Sequence, residues 1–201
     1  MSQLKLTADS GGGTVAIKGP ASTTGNAALD LTVPGTASAT LDTLGRAGNI
    51  IQVAQTVKTD VFTTTSQSFT DITGLSGTIT PTSSSNKILI SYTLSVSGNG
   101  YPMFKLLRGS TDIFVGDAAS NRVRCLFGGY IGASQINSMM IPVSGNFLDS
   151  PSTTSATTYK IQTGVIHTTG YTIVVNRSMS DTDFNYNPRT ASSIVLMEVS
   201  A

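Results

Sequence analysis

A chain of 201 residues with 12 basic and 11 acidic side chains carries a net charge of +1. It can hold one large domain, or a smaller domain with an appendage. This balance, with only 11% charged residues, excludes an electrostatic footprint for nucleic acid or an anionic membrane. No apolar run approaches the roughly 18 residues of a membrane-spanning helix, and the single cysteine, Cys125, excludes an intramolecular disulfide.

Ser and Thr make up roughly a quarter of the chain, well above ordinary usage. Thr favours strands and Ser, with Gly, favours turns. Residues 1–48 lack the charged start and apolar core of a signal peptide, so the mature chain is expected to begin at or near Met1 and to be made in a cytoplasm. Short β-like pieces at residues 4–7 and 14–18 flank a Gly11-Gly12-Gly13 turn. Residues 27–32 follow and lead into a Pro34-Gly35 turn. No large aromatic precedes Phe62, so this arm has too little apolar bulk for a core of its own. It is expected to dock on a neighbour or to intertwine with identical chains.

From residue 49 the pattern is that of a globular β domain. Strands are expected at 50–57, 63–71 and 72–81, the last closed by Pro81. The clearest is 87–97, KILISYTLSVS, where Ile88, Ile90, Tyr92, Leu94 and Val96 share one parity. On the other parity only Leu89 interrupts a hydroxyl-rich set, so one face is buried and one is not. A glycine-containing connection at Arg108-Gly109-Ser110-Thr111 joins 103–107 to 112–115 as a hairpin. Further strands are expected at 138–146, 157–167, 171–176 and 192–199. The fold class that follows is all-β: a jelly-roll-like antiparallel β-sandwich over residues 49–201, preceded by an extended arm, 1–48. The order of the strands does not follow.

The sequence contains no CxxC, HExxH, P-loop or G-x-S-x-G pattern. No catalytic, cofactor-binding or metal-ligating residue is assigned, and the chain is not expected to be an enzyme. His167, the sole histidine, reads as a structural or surface residue, and Cys125 as a small buried apolar one. Asp181 and Asp183 read as a solvated loop, with calcium the alternative. Asn176-Arg177-Ser178 matches a glycosylation sequon without a secretion signal to give it meaning. Tyr101, Tyr130, Tyr171, Phe184 and Tyr186 lie in or beside turn-like segments. Rings in such places cap a sandwich or fill a subunit interface, and beside Asn and Asp the alternative is a sugar-binding surface.

Two stretches carry a resemblance. The opening, SQLKLTADSGGGTVAIKGPASTTGNAALDLTVPG, is similar to the N-terminal segment of virion appendage proteins of marine tailed phages, cyanophages above all. The later SFTDITGLSGTITPTSSSNKILISYTLSVSG, FKLLRGSTDIF with Gly116-Asp117, NFLDSPSTTSATTYKIQ and RTASSIVLMEVSA resemble the β-sandwich module of the same tail-fibre-like proteins. The resemblance implies a virion structural protein, assembled in the host cytoplasm and typically homotrimeric. Its arm would attach to other virion proteins of tail or capsid, and its outward module would meet the host surface, a host glycan among the partners. It brings no catalytic motif. The chain lacks a long repetitive shaft, which leaves a tail fibre, a tail appendage and a capsid decoration protein as its possible roles.

Overall fold

A computed structural model describes residues 46–131, 137–167 and 169–201. The expected arm, save residues 46–48, lies outside them, and with it the short β-like pieces at 4–7 and 14–18. Among the described residues every regular element is a strand. In order these are β1 (Ile50–Lys58), β2 (Phe62–Thr64), β3 (Thr70–Ile79), β4 (Lys87–Gly98), β5 (Pro102–Arg108) and β6 (Thr111–Ile113). They are followed by β7 (Phe127–Gly128), β8 (Ile141–Asp149), β9 (Thr157–Val165), β10 (Ile173–Val175) and β11 (Ser192–Val199).

Alternation drives the long strands. Ile88, Ile90, Tyr92, Leu94 and Val96 of β4 are buried, as are Ile194 and Leu196 of β11. The strands expected at 50–57, 87–97 and 192–199 match β1, β4 and β11 to within one residue. The expected strand 63–71 is split instead. Thr64 Oγ1 accepts from Ser66 N at 3.1 Å, Ser66 Oγ accepts from Ser68 N at 3.1 Å, and Ser66 Oγ donates to Ser68 O at 2.8 Å. Hydroxyls that bond their own backbone take it out of the ladder, so β2 ends at Thr64 and β3 begins at Thr70.

All pairings are antiparallel, and eight strands pair as nested partners: β1 with β11, β3 with β9, β4 with β8, β5 with β6. The domain is thus one long hairpin, folded over so that β11 also pairs with β4 and β9 with β5. Two sheets result, β1-β11-β4-β8 and β3-β9-β5-β6, with β10 and β2 extending the first and β7 the second. This is the jelly-roll sandwich. Between the sheets Ile90, Leu94, Ile194 and Leu196 meet Ile72, Phe104, Leu106 and Ile161, each at most 2% exposed. Every such side chain contributes about 1.5–3 kcal/mol through burial. Tyr92 fits only because Gly145 stands opposite it: a Cβ there would lie 2.5 Å from the phenol oxygen.

One end of the core is closed by a polar row. Gln52, Glu198, Ile88 and Asp149 are neighbours across β1, β11, β4 and β8. Glu198, the sole glutamate, is fully buried. It accepts from Gln52 Nε2 at 2.6 Å, Thr82 N at 2.6 Å, Thr82 Oγ1 at 2.8 Å and Asn86 Nδ2 at 2.7 Å. Asp149 accepts from Arg108 Nη1 at 2.8 Å and Tyr159 Oη at 2.7 Å, two neighbours on the facing sheet. Burial and the adjacent carboxylate push the Tyr159 phenol well above its ordinary range.

Burial alone pushes the Glu198 carboxyl up, but the donors from Asn86, Gln52 and Thr82 outweigh it and hold the group at about 2, against 4.5 for a free side chain. A depressed carboxyl stabilises the fold above its unfolded value and loses that contribution as pH falls through its folded value. The amount is on the order of 3 kcal/mol. The urea midpoint should therefore fall between pH 5 and pH 2. Glu198→Gln, which turns an amide NH2 toward donors, should be less stable at pH 7 and fall less over that window. Parallel pH profiles for the two proteins would remove Glu198 from this account.

Candidate functional site

Beyond the other end of β4, three segments meet. Gly98 and Gly100, at φ 151° and 97°, turn the chain between β4 and β5. Asn99 fastens the turn, its N donating to Thr172 O at 3.0 Å and its Oδ1 accepting from Thr172 N at 2.7 Å. Gly100 exchanges both backbone hydrogen bonds with Ile131, at 3.0 and 2.7 Å. A Cβ on Gly100 would lie 2.4 Å from Tyr171 Cγ, so only glycine allows this approach.

The result is an aromatic cluster around Tyr101. Its ring centroid lies 4.9 Å from that of Tyr130, 4.7 Å from the perpendicular ring of His167 and 6.1 Å from Tyr171. Beside it opens a recess of about 430 Å³. Tyr101, Met103, Val123 and Ile166 give it apolar walls, and Asn121, Arg122 and His167 supply polar groups. Asn121, Arg122 and His167 are exposed. Among the described residues the Arg122 guanidinium has no hydrogen-bond or ion-pair partner, whereas Arg124 Nε donates to Gly116 O at 2.7 Å. Among the described residues the lining contains no carboxylate. A recess lined by apolar side chains, a guanidinium and an amide can take a small amphipathic ligand.

Of the five aromatic residues singled out from the sequence, Tyr101, Tyr130 and Tyr171 come together here. Phe184 and Tyr186 do not. They stack on each other, 5.1 Å apart and 11° from parallel, in the loop after β10, and both are exposed. His167 is exposed, as a surface reading required, and its imidazole stands edge-on to the Tyr101 ring. Sequence reasoning missed Asn121 and Arg122, which lie in a stretch without periodicity.

The remaining candidates resolve locally. Asp181 is ion-paired to Arg189, with Arg177 Nε at 3.7 Å, so cations already hold that carboxylate. Among the described residues no three His, Cys, Asp or Glu side chains gather as a metal site. Cys125 is half-buried rather than buried, and burial pushes its thiol up, which keeps it in the unreactive neutral form. A second recess, of about 410 Å³, sits at the irregularity of β3. There Lys160 and then Gln162 hold the Asp71 carboxyl below its ordinary value, at 2.9 and 2.7 Å, so its polar group is already satisfied.

Asn176 is fully buried at φ 70°. Its Nδ2 donates to Lys58 O at 2.8 Å and Asp60 O at 3.1 Å, and its Oδ1 accepts from Ser192 Oγ. The amide nitrogen that a glycan would need is thus spent inside the fold.

No protein-family model matches the chain, and no curated protein matches it. Among solved structures it is similar to one of the infectious bursal disease virus Gx strain, at 14% identity and a TM-score of 0.33, over 86% of this chain. The chain spans only 42% of that protein's length. The jelly-roll assignment rests on the strand pairing itself.

Routed through a glycosylating secretory pathway, the folded chain should leave Asn176 unmodified, because glycosylation would cost the fold its buried amide bonds. Intact mass gives the result, and a secreted, folded species heavier by one N-glycan would contradict this account of Asn176.

Proposed function

We propose that this chain is a virion structural protein, a homotrimeric tail fibre or tail appendage. Residues 1–48 anchor it to other virion proteins, and the jelly roll is presented to the host surface. The role is mechanical and adhesive rather than catalytic. The resemblance of the opening segment and of the sandwich strands to phage appendage proteins motivates this reading. One structural observation carries it: the outer face of the β1-β11-β4-β8 sheet is apolar in a line.

The registers place Val53, Met197, Leu89 and Leu148 side by side across β1, β11, β4 and β8. Val53 is 60% and Leu148 47% exposed. A bulge at Ile51 turns Ile50, itself 53% exposed, to the same face beside Val199. Around the row stand Gln55, Ser91, Thr93, Ser193, Ser144 and Asn146, and the one charge on these outward positions is Lys87. A contiguous apolar patch of this kind marks an interaction surface. An uncharged rim suits packing against an equally uncharged copy, since no charge has to be desolvated. Three copies closing around an axis would bury the row in each and leave none open.

Light scattering of the full chain should give three times its 20.8 kDa mass. The double variant Val53→Asp with Leu148→Asp alters only exposed outward positions. It should fold, keep its circular dichroism and scatter as a monomer. A wild-type monomer would overturn the trimeric reading. Copy counting in virions by mass spectrometry then separates tail from head. Tens of copies at most fit an appendage, and a number matching the capsid lattice would replace it with a decoration protein.

A further inference from the structure

We infer that the recess beside Tyr101 binds a carboxylate-bearing pyranose, an acidic sugar residue of a surface glycan. This deepens the host-surface part of the function proposed above, and the chemistry that supports it does not depend on self-assembly.

A pyranose has two unlike sides, a C–H face that prefers apolar surface and a rim of hydroxyls that needs hydrogen bonds. The recess matches both. Tyr101, Met103, Val123 and Ile166 supply apolar lining, and Asn121 and His167 supply polar groups. At about 430 Å³ it lies in the range of small-molecule sites. What selects an acidic sugar is Arg122. Its guanidinium is exposed, unpaired among the described residues and faces a lining without carboxylates. A planar guanidinium matches a carboxylate through two parallel hydrogen bonds, a geometry that a point charge cannot offer. The Tyr101 part of the wall is held in place before any ligand arrives, by the Asn99–Thr172 and Gly100–Ile131 hydrogen bonds and by His167 standing edge-on to Tyr101. A preformed wall spares the ligand the entropic cost of ordering it.

The chain has no tryptophan, so its intrinsic fluorescence comes from tyrosine, and three of its six tyrosines are in this cluster. The test titrates methyl glucuronide into the full-length protein and follows tyrosine emission together with saturation-transfer NMR of the sugar. Methyl glucoside and inorganic sulfate serve as controls. Saturable binding of the glucuronide is expected, with the glucoside at least about tenfold weaker. Arg122→Ala and Asn121→Ala alter exposed side chains. The first should reduce affinity about tenfold or more and the second less, while Phe184→Ala, in the separate loop, should leave it unchanged. Equal competition by sulfate would reduce the site to a general anion site and overturn the sugar assignment. Undiminished binding in Arg122→Ala, or binding lost in Phe184→Ala, would place it elsewhere and overturn it too. Absence of binding in a protein with the trimer's mass would overturn the site alone and leave the assembly reading intact.

Discussion

The pairing of β4 along both of its edges is the constraint on which the rest of the domain depends. On one edge it pairs with β11 from Lys87 to Thr93 and then with β10 from Val96 to Gly98, and on the other with β8 from Ile88 to Val96. At about 3.3 Å per residue its twelve residues span about 40 Å. The strand therefore reaches from the buried carboxylates at one end of the sandwich to the tyrosine cluster at the other. Among the described residues no other strand touches as many partners in the first sheet. The nested pairs on either side of β4 acquire their positions from it, and a jelly roll is what remains when a hairpin of four pairs wraps around such a centre.

The two carboxylates beside Ile88 show how the register of that centre is fixed. Asp149 is met by a guanidinium and a phenol from the facing sheet, and so ties the two layers together. Glu198 is met by neutral donors from β1 and from the connection between β3 and β4. No buried side-chain nitrogen or oxygen among the described residues lacks a partner, as a folded interior demands. A slip of one residue in β11 would be doubly costly. It would carry Glu198 away from its four hydrogen bonds and bring Met197 and Val195 inward in place of Leu196 and Ile194. Because a one-residue slip exchanges the faces of a strand, a polar inner row next to an apolar outer row defines one register far more sharply than an apolar core alone.

Much of this was legible in the sequence, and the illegible parts have identifiable causes. Parity alone locates β4, because its apolar face lies in the core and the period of two is visible residue by residue, whereas β1 turns its valines outward and Gln52, Ala54, Thr56 and Lys58 inward. It fails at Ser66 and Ser68, whose hydroxyls satisfy the backbone locally and keep strand-like residues out of a strand. The nested pairing is a property of contacts far apart in sequence, and no local pattern reports it. Leu89 was the one visible irregularity of β4, and its meaning appears only when Val53, Met197 and Leu148 line up beside it. The aromatic residues were recognisable as a set, but their division into a cluster at Tyr101 and a separate Phe184–Tyr186 stack depends on which turn each occupies. Arg122 and Asn121 carried no signal at all, since an exposed arginine in an aperiodic stretch resembles any other until a recess forms beside it.

The geometry of β4 also bears on whether assembly and surface recognition can coexist. The apolar row crosses β4 at Leu89, and the turn that supports the recess begins at Gly98, nine residues further on. Along an extended strand that separation is about 30 Å. The row lies on the outward face of one sheet, whereas the recess lies past the strand's end. Burying the first in a subunit contact would leave the second in solvent. A protein that both locks to its copies and touches a foreign surface needs such a division, because a single patch would have to give up one contact to make the other. The low charge of the domain works in the same direction. It removes the desolvation cost of burying the sheet face, and it leaves the Arg122 guanidinium, unpaired among the described residues, as the local feature able to draw an anionic group toward the tyrosines.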